Sequence, residues 1–241
     1  MNPEYVDIFR QRGHPYHAAM LFQPHARDAE FDGLFARQPL RGGERILDIP
    51  AGGGYLARHL GAQAQVTSLE ITSGFSDGIP IADPEHLEAW TGHDRAVCLA
   101  ALHHFDDAPG FLSRLARCVQ PGGWLHVADV SAGSPLCAFL DGFVGRYNVT
   151  GHSGHYLSRD PAHLSALGEV THCAEARCDW RFPDEARMLR FCSDLFGLID
   201  CPPAALRDAL REHVGFDAGP DGVLLHWRLL YVDVRIPHAG A

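Results

Sequence analysis

The sequence predicts an α/β fold: a doubly wound, mostly parallel sheet with an antiparallel last strand, plus N-terminal helices and a helical insertion forming a lid. Three observations carry this. Short apolar runs alternate with amphipathic stretches through the first half of the chain. A glycine-rich turn, Ala51-Gly52-Gly53-Gly54, lies where the first run hands over to a helix. A long apolar stretch, Val223–Arg235, closes the chain before Pro237.

In order, residues 1–40 read as helical, with turns at Gly13–Pro15 and Pro39; Tyr5–Arg10 and Ala26–Ala36 place apolar residues at helical spacing. Arg41-Gly42-Gly43 is a turn, Arg45–Pro50 a strand and Tyr55–Leu60 a helix. Gln65–Ile71 is the second strand, Ile79–Ala82 a very short third, and Arg95–Leu102 a continuous apolar run expected of a strand buried on both faces. Phe111–Val119 reads as an amphipathic helix stopped by Pro121-Gly122-Gly123, before a strand at Trp124–Val130. Further on, Pro135–Val144 is helical, Asn148–Ser158 a Gly/His/Ser-rich loop and Glu169–Phe182 a strand. Asp184–Phe196 and Pro203–Val214 are helices, the second opened by proline.

Composition narrows the function classes. With 46% hydrophobic and 21% charged residues, the 241-residue chain is ordinary for a globular protein. No apolar run approaches the ~18 residues of a membrane span, and Met1 to Arg12 lacks an export signal's apolar core. A cytoplasmic protein without a membrane partner is the expectation. The net charge of −10 offers no broad field for phosphate backbones, so no nucleic-acid partner is expected. Seven scattered cysteines do not form a disulfide framework, and Cys98 reads as a buried small hydrophobe.

Glycines at a strand–helix turn let a ligand approach the backbone closely. Gly52-x-Gly54-x-x-Ala57 also fits a dinucleotide fingerprint, so the turn alone leaves a nicotinamide-dependent oxidoreductase open. Asp48, just before the glycines, argues otherwise. A carboxylate there repels a pyrophosphate and attracts a cationic or amino-bearing ligand such as S-adenosylmethionine. Glu70, 22 positions further on, suits ribose hydroxyls in either case.

The run RILDIPAGGGYLARHL resembles the first motif of class I, Rossmann-like S-adenosylmethionine-dependent methyltransferases. LAALHHFDD (Leu99–Asp107) resembles that family's fourth-strand segment, and LARCVQPGGWLHVADV (Leu115–Val130) its Pro-Gly-Gly turn and fifth strand. The resemblance implies methyl transfer from S-adenosylmethionine to a small-molecule acceptor. It places Asp48, Pro50, Ala51, Gly52 and Gly54 at the methionine portion, Glu70 at the ribose and Asp83 near the adenine. Leu99 to Leu102, Ala100 among them, would line the floor, with Tyr16 at the methionine end. It also implies one domain over 1–241: an N-terminal helical cap (1–40), a cofactor-binding core (44–130), a substrate-side insert with helices (131–221) and the final strand (222–236). Two features depart from the family. Pro50 replaces the usual first glycine, and residues 71–82 are too short for the helix and strand that normally follow the ribose-binding acid. That second departure keeps open a non-catalytic or repurposed binding protein on the same scaffold.

Methyl transfer needs in-line placement, and a base only where the nucleophile carries a proton. His103 and His104 are the candidate catalytic bases. His14, Tyr147, His152, His155 and Tyr156 are candidate substrate contacts beyond the strand ends, with Arg146 and Arg159 as candidate partners of a substrate carboxylate. The histidine and cysteine spacings do not make a closed ligand set, and no metal site is expected. The apolar face of Met188–Leu198 is read as core, with a lid or homodimer surface as the alternative.

Overall fold

The computed structural model describes residues 5–75 and 78–238. Its strands are β1 (Arg45–Asp48), β2 (Gln65–Ser68), β3 (His93–Leu99), β4 (Val119–Asp129), β5 (Glu169–Arg177), β6 (Trp180–Phe182), β7 (Phe216–Gly219), β8 (Gly222–Leu225) and β9 (Arg228–Arg235). Six form the main sheet in the order β2-β1-β3-β4-β9-β5. The first four run parallel, and β9 lies antiparallel between β4 and β5. The expected α/β class and antiparallel last strand are both present.

The central strands are apolar on both faces because helices cover both. Ile46 and Val97 join one hydrophobic cluster, while Leu47, Ala96 and Cys98 join the other. Alternate residues of a strand point to opposite faces, so a continuous apolar run fills two layers. The helices are α1 (Tyr5–Phe22), α2 (Asp28–Phe35), α3 (Tyr55–Leu60), α4 (Ala108–Ala116), α5 (Pro135–Cys137), α6 (Gly145–Tyr147), α7 (Glu185–Leu195) and α8 (Pro203–His213). A π-helical stretch, Ala138–Val144, joins α5 to α6. Helix α1 spans the two clusters, with Ala19 and Met20 in one and Tyr5, Ile8 and Phe9 in the other.

Several boundaries differ from expectation. Gly13–Pro15 is not a turn: α1 runs through it, with Pro15 inside. Gly13 lies against the backbone of Gly74, where an added Cβ would come within 2.4 Å of the Gly74 carbonyl carbon, so this close approach holds the helix in place. The expected third strand shrinks to a single parallel bridge between Glu70 and Ile81. Helix α4 starts and stops earlier than read, capped by Asp107, and β4 already includes the Pro-Gly-Gly segment.

One further difference shapes the site. Glu169–Phe182 and Val223–Arg235 each break into two strands, and they break at matching registers. Arg177 pairs with Arg228 in the main sheet, while Trp180 pairs with Leu225 in a second, three-stranded sheet ordered β6-β8-β7. The Cys178 N–H donates to the Trp227 carbonyl at 2.9 Å across the bend. Trp180 and Trp227 stack there at 4.3 Å, both buried, and the bulk of two indoles turns the strands together.

Candidate active site

Chain order reverses at β1, which has β2 on one side and β3 on the other. A crevice beyond the carboxyl ends of such strands is where open α/β sheets take ligands. Asp48 ends β1, Leu99 ends β3, and Ala100 and Ala101 follow it. Together with Pro50, Ala51 and Gly52 they line a cavity of about 40 Å³, roofed by Tyr5, Phe9 and Tyr16 of α1. Ala100 holds a positive φ of 50°, a strained backbone of the sort found where a chain is bent to serve a site.

Asp48 is 4% exposed, and among the described residues no group hydrogen-bonds to its carboxylate. Burial first, and then the neighbouring charge of Glu70, push its pKa well above the usual carboxylate range. A buried acid with no cation beside it is costly until a cation or amine joins it. The turn beside it leaves no room for side chains. A Cβ on Gly52 would meet the Tyr55 ring at 2.7 Å, and one on Gly53 the His17 ring at 2.3 Å. Gly52 and Gly54 also take positive φ values of 56° and 72°. These residues fit the amino-bearing, cationic end of S-adenosylmethionine.

Glu70 stands behind this wall. Its carboxylate accepts from the Gly52 N–H at 2.7 Å, the Ile71 N–H at 2.8 Å and the Tyr5 hydroxyl at 3.2 Å. Burial pushes it up to about 7 although these donors pull downward. Gly54 serves as the left-handed N-cap of α3. Asp83 is exposed and accepts from Glu85 N–H at 2.9 Å, with His86 at the same distance. It lines neither this cavity nor the next.

A second cavity, about 60 Å³, shares Phe9, Tyr16, Arg27 and Ala100 with the first. His103, His104 and His152 form part of its wall, and Trp180, Phe196 and Trp227 another part. His103 Nδ1 lies 2.6 Å from Asp129 Oδ1, and the His103 backbone N–H donates to Oδ2 at 3.1 Å. A carboxylate there accepts, so Nδ1 carries the hydrogen and Nε2 keeps its lone pair. His152 Nδ1 is held likewise by Asp141 at 2.8 Å; Tyr156 donates to the same oxygen at 2.5 Å. Burial pushes His104 well below its usual range, with His103, His152 and Arg12 adding to the shift, so its ring is neutral. One ring nitrogen from each histidine lies within 4.8 Å of the others. The three together could hold a metal ion, a grouping that the spacing of histidines along the sequence did not suggest.

The crevice thus gathers Tyr16, Asp48, Pro50, Ala51, Gly52, Leu99, Ala100, His103, His104 and His152, all named from the sequence. Tyr156 stands just behind His103, its ring stacked at 6.0 Å. Others lie elsewhere. His14 is exposed, Tyr147 packs on Phe143 at 5.1 Å, and His155 is exposed beside Asp106 at 3.5 Å. Arg159 pairs with Glu175 at 2.8 Å outside both cavities. Sequence reasoning missed Arg12, Arg27, Asp129, Asp141 and the two tryptophans. Only Asp129, an acid ending a buried strand, carried a visible signal.

A parallel sheet whose switch point holds a glycine cradle and a partnerless carboxylate, next to a His–Asp pair, has the class I methyltransferase layout. The chain belongs to the methyltransferase-domain family, whose model matches residues 24–193. It is a methyltransferase by family, and methyl transfer is its class of activity. It is similar to a ubiquinone biosynthesis O-methyltransferase of Paracidovorax citrulli, 27% identical over 168 residues, covering 61% of this chain and 67% of the relative. Against two further relatives of that description the chain covers 62% and 56% of their length. Among solved structures it resembles the [4+2]-cyclase SpnF (TM-score 0.60, 15% identity, 99% and 98% of the two chains covered). It also resembles coclaurine N-methyltransferase bound to N-methylheliamine and S-adenosylhomocysteine (TM-score 0.52, 12% identity, 85% and 69% covered). At these identities the likeness concerns the fold, and chemistry must be argued from the site. Among the described residues no helix is long and apolar enough to cross a membrane.

Proposed function

We propose that the chain transfers a methyl group from S-adenosylmethionine to an oxygen of a small-molecule acceptor, with His103 as the base. The observation that carries this reading is the buried, partnerless Asp48 at the glycine turn. When bound, S-adenosylmethionine supplies an electrophilic methyl group on a sulfonium.

The chain's own residues then have distinct tasks. Asp48 holds the amino-bearing end, while Gly52–Gly54 keep the backbone open beside it. Glu70 offers its carboxylate to ribose hydroxyls in exchange for the Tyr5 hydroxyl, which means that α1 lifts as the nucleoside enters. The 40 Å³ beneath α1 supports this, because a cavity that holds even benzene measures on the order of 150 Å³. His103 takes the acceptor's hydroxyl proton on Nε2 as the oxygen attacks, and Asp129 steadies the resulting imidazolium through Nδ1–H. The O-methyltransferase relatives favour oxygen as the accepting atom.

Calorimetric titration with S-adenosylmethionine and with NADH tests the donor. Mass spectrometry of S-adenosylhomocysteine formed with a panel of phenols and catechols tests the transfer. Tight NADH binding without S-adenosylmethionine binding would end this reading. Binding without any turnover would leave a repurposed scaffold.

A further inference from the structure

The second cavity contains a cation that no acidic group of the protein answers, although its guanidinium lies 5.6 Å from the centre of the Phe9 ring. Arg12, on α1, is 6% exposed. Its one hydrogen bond runs from Nη2 to the Leu195 carbonyl at 3.4 Å, and Nε and Nη1 have no partner among the described residues. Burial lowers its pKa only to about 10, so the guanidinium is charged at neutral pH. Arg27, the other arginine of the cavity, is different. It is matched by buried Glu30, whose Oε2 accepts from Nε at 3.0 Å, and it also bonds the Tyr16 hydroxyl.

The wall offers Arg12 nothing negative. No aspartate or glutamate lines this cavity, and its histidines His104 and His152 are held toward neutrality partly by Arg12 itself. Asp129 and Asp141 are engaged behind the histidine rings. A buried guanidinium with two of its nitrogens unpaired destabilises the fold unless a bound anion completes it. The surroundings also specify the anion's body, since Phe9, Trp180, Phe196 and Trp227 present ring faces and edges. A planar carboxylate matches the flat guanidinium fork, and a flat apolar body matches the rings.

We infer that Arg12 binds the carboxylate of the acceptor substrate, a flat organic acid of the hydroxybenzoate type whose hydroxyl is thereby directed to His103; like the first cavity, this one of about 60 Å³ admits its ligand only as α1, which carries Arg12, lifts. The pairing rests on the unpaired guanidinium nitrogens, and its link to catalysis rests on the methyl-transfer reading above. Its consequence is selection by charge: an acid is accepted and its uncharged amide is rejected.

The test is calorimetry on the full chain, with and without saturating S-adenosylhomocysteine. The probes are benzoate, 4-hydroxybenzoate and 3,4-dihydroxybenzoate, each beside its amide. At least one acid is expected to bind roughly 10- to 100-fold more tightly than its amide, as a charged hydrogen-bond pair implies. Arg12→Met should erase that preference without altering affinity for the amide, and Arg12→Lys should keep part of it. The ligand-free Arg12→Met chain should melt no lower than the wild type, because it loses an unpaired buried charge. The inference is overturned if no acid binds at millimolar concentration, or if acid and amide bind equally. It is also overturned if the preference survives in Arg12→Met, or if that variant melts well below the wild type and so makes Arg12 a structural group. Failure of S-adenosylhomocysteine to bind would instead sink the methyl-transfer reading, leaving the acid–amide comparison in the ligand-free chain intact.

Discussion

The two cavities on either side of Phe9 and Tyr16 are opposites in charge. One contains a buried aspartate, Asp48, with no cation bonded to it, and the other a buried arginine, Arg12, with no anion. Elsewhere in the interior such charges are matched: Arg27 with Glu30, Arg95 with Glu44, Asp233 with Arg37. Folding alone gives no reason to bury two charges apart, since each loses solvation and gains no partner. Ligand binding does give one. A cationic donor answers the first charge and an anionic acceptor the second, so the pair of cavities orders two molecules of opposite charge around Ala100, which lines both.

Three perturbations probe that division. The largest effect is expected from His103→Gln, which should lower kcat about 10²- to 10⁴-fold while affinity for S-adenosylhomocysteine stays the same. Single-turnover kinetics beside calorimetry separates the two quantities, and an unchanged rate would reduce the His103–Asp129 pair to architecture.

Glu70 comes next, on the donor side. The folded chain holds its proton up to about pH 7, whereas an ordinary glutamate releases it near 4.5. Between those values the folded state binds more protons than the unfolded state, so stability falls as pH rises through that window. The loss is up to about 3 kcal/mol above pH 7. Urea unfolding at pH 5 and pH 8 should show this component in the wild type and lack it in Glu70→Gln; the same slope in both would contradict the assignment.

The smallest effect concerns the helix that roofs both cavities. A Cβ at Gly74 would come within 1.9 Å of the Phe9 carbonyl oxygen. Gly74→Ala should therefore push α1 outward, cost about 1–3 kcal/mol of stability and speed S-adenosylhomocysteine release, as read by stopped-flow fluorescence. Unaltered stability and release would mean that α1 is not seated there in solution.

The donor side was largely legible in the sequence because its signals are local. A strand, an acid, a glycine turn and a helix follow one another within Arg45–Leu60, and the fold leaves them adjacent. His103 was legible for the same reason, as the first polar residue after a buried strand. Arg12 was not, because whether a charge finds a partner is a property of the packed molecule. Glu70 shows the same limit. The short 71–82 segment was visible, yet not that α1 would close over it and bring Tyr5 onto the carboxylate. The aromatic wall depends on a bend shared by two strands about 50 residues apart, marked only by Trp180 and Trp227.

The donor side rests on the charge of one carboxylate, and Asp48→Asn removes that charge while keeping the side chain's shape. Calorimetric titration of this variant with S-adenosylmethionine is expected to show affinity reduced roughly 10- to 100-fold, as for loss of a charged hydrogen bond. The ligand-free variant should melt at or above the wild-type temperature, because an unpaired buried acid is gone. Wild-type affinity in Asp48→Asn would show that the glycine turn recognises its ligand without this charge and would contradict the donor assignment.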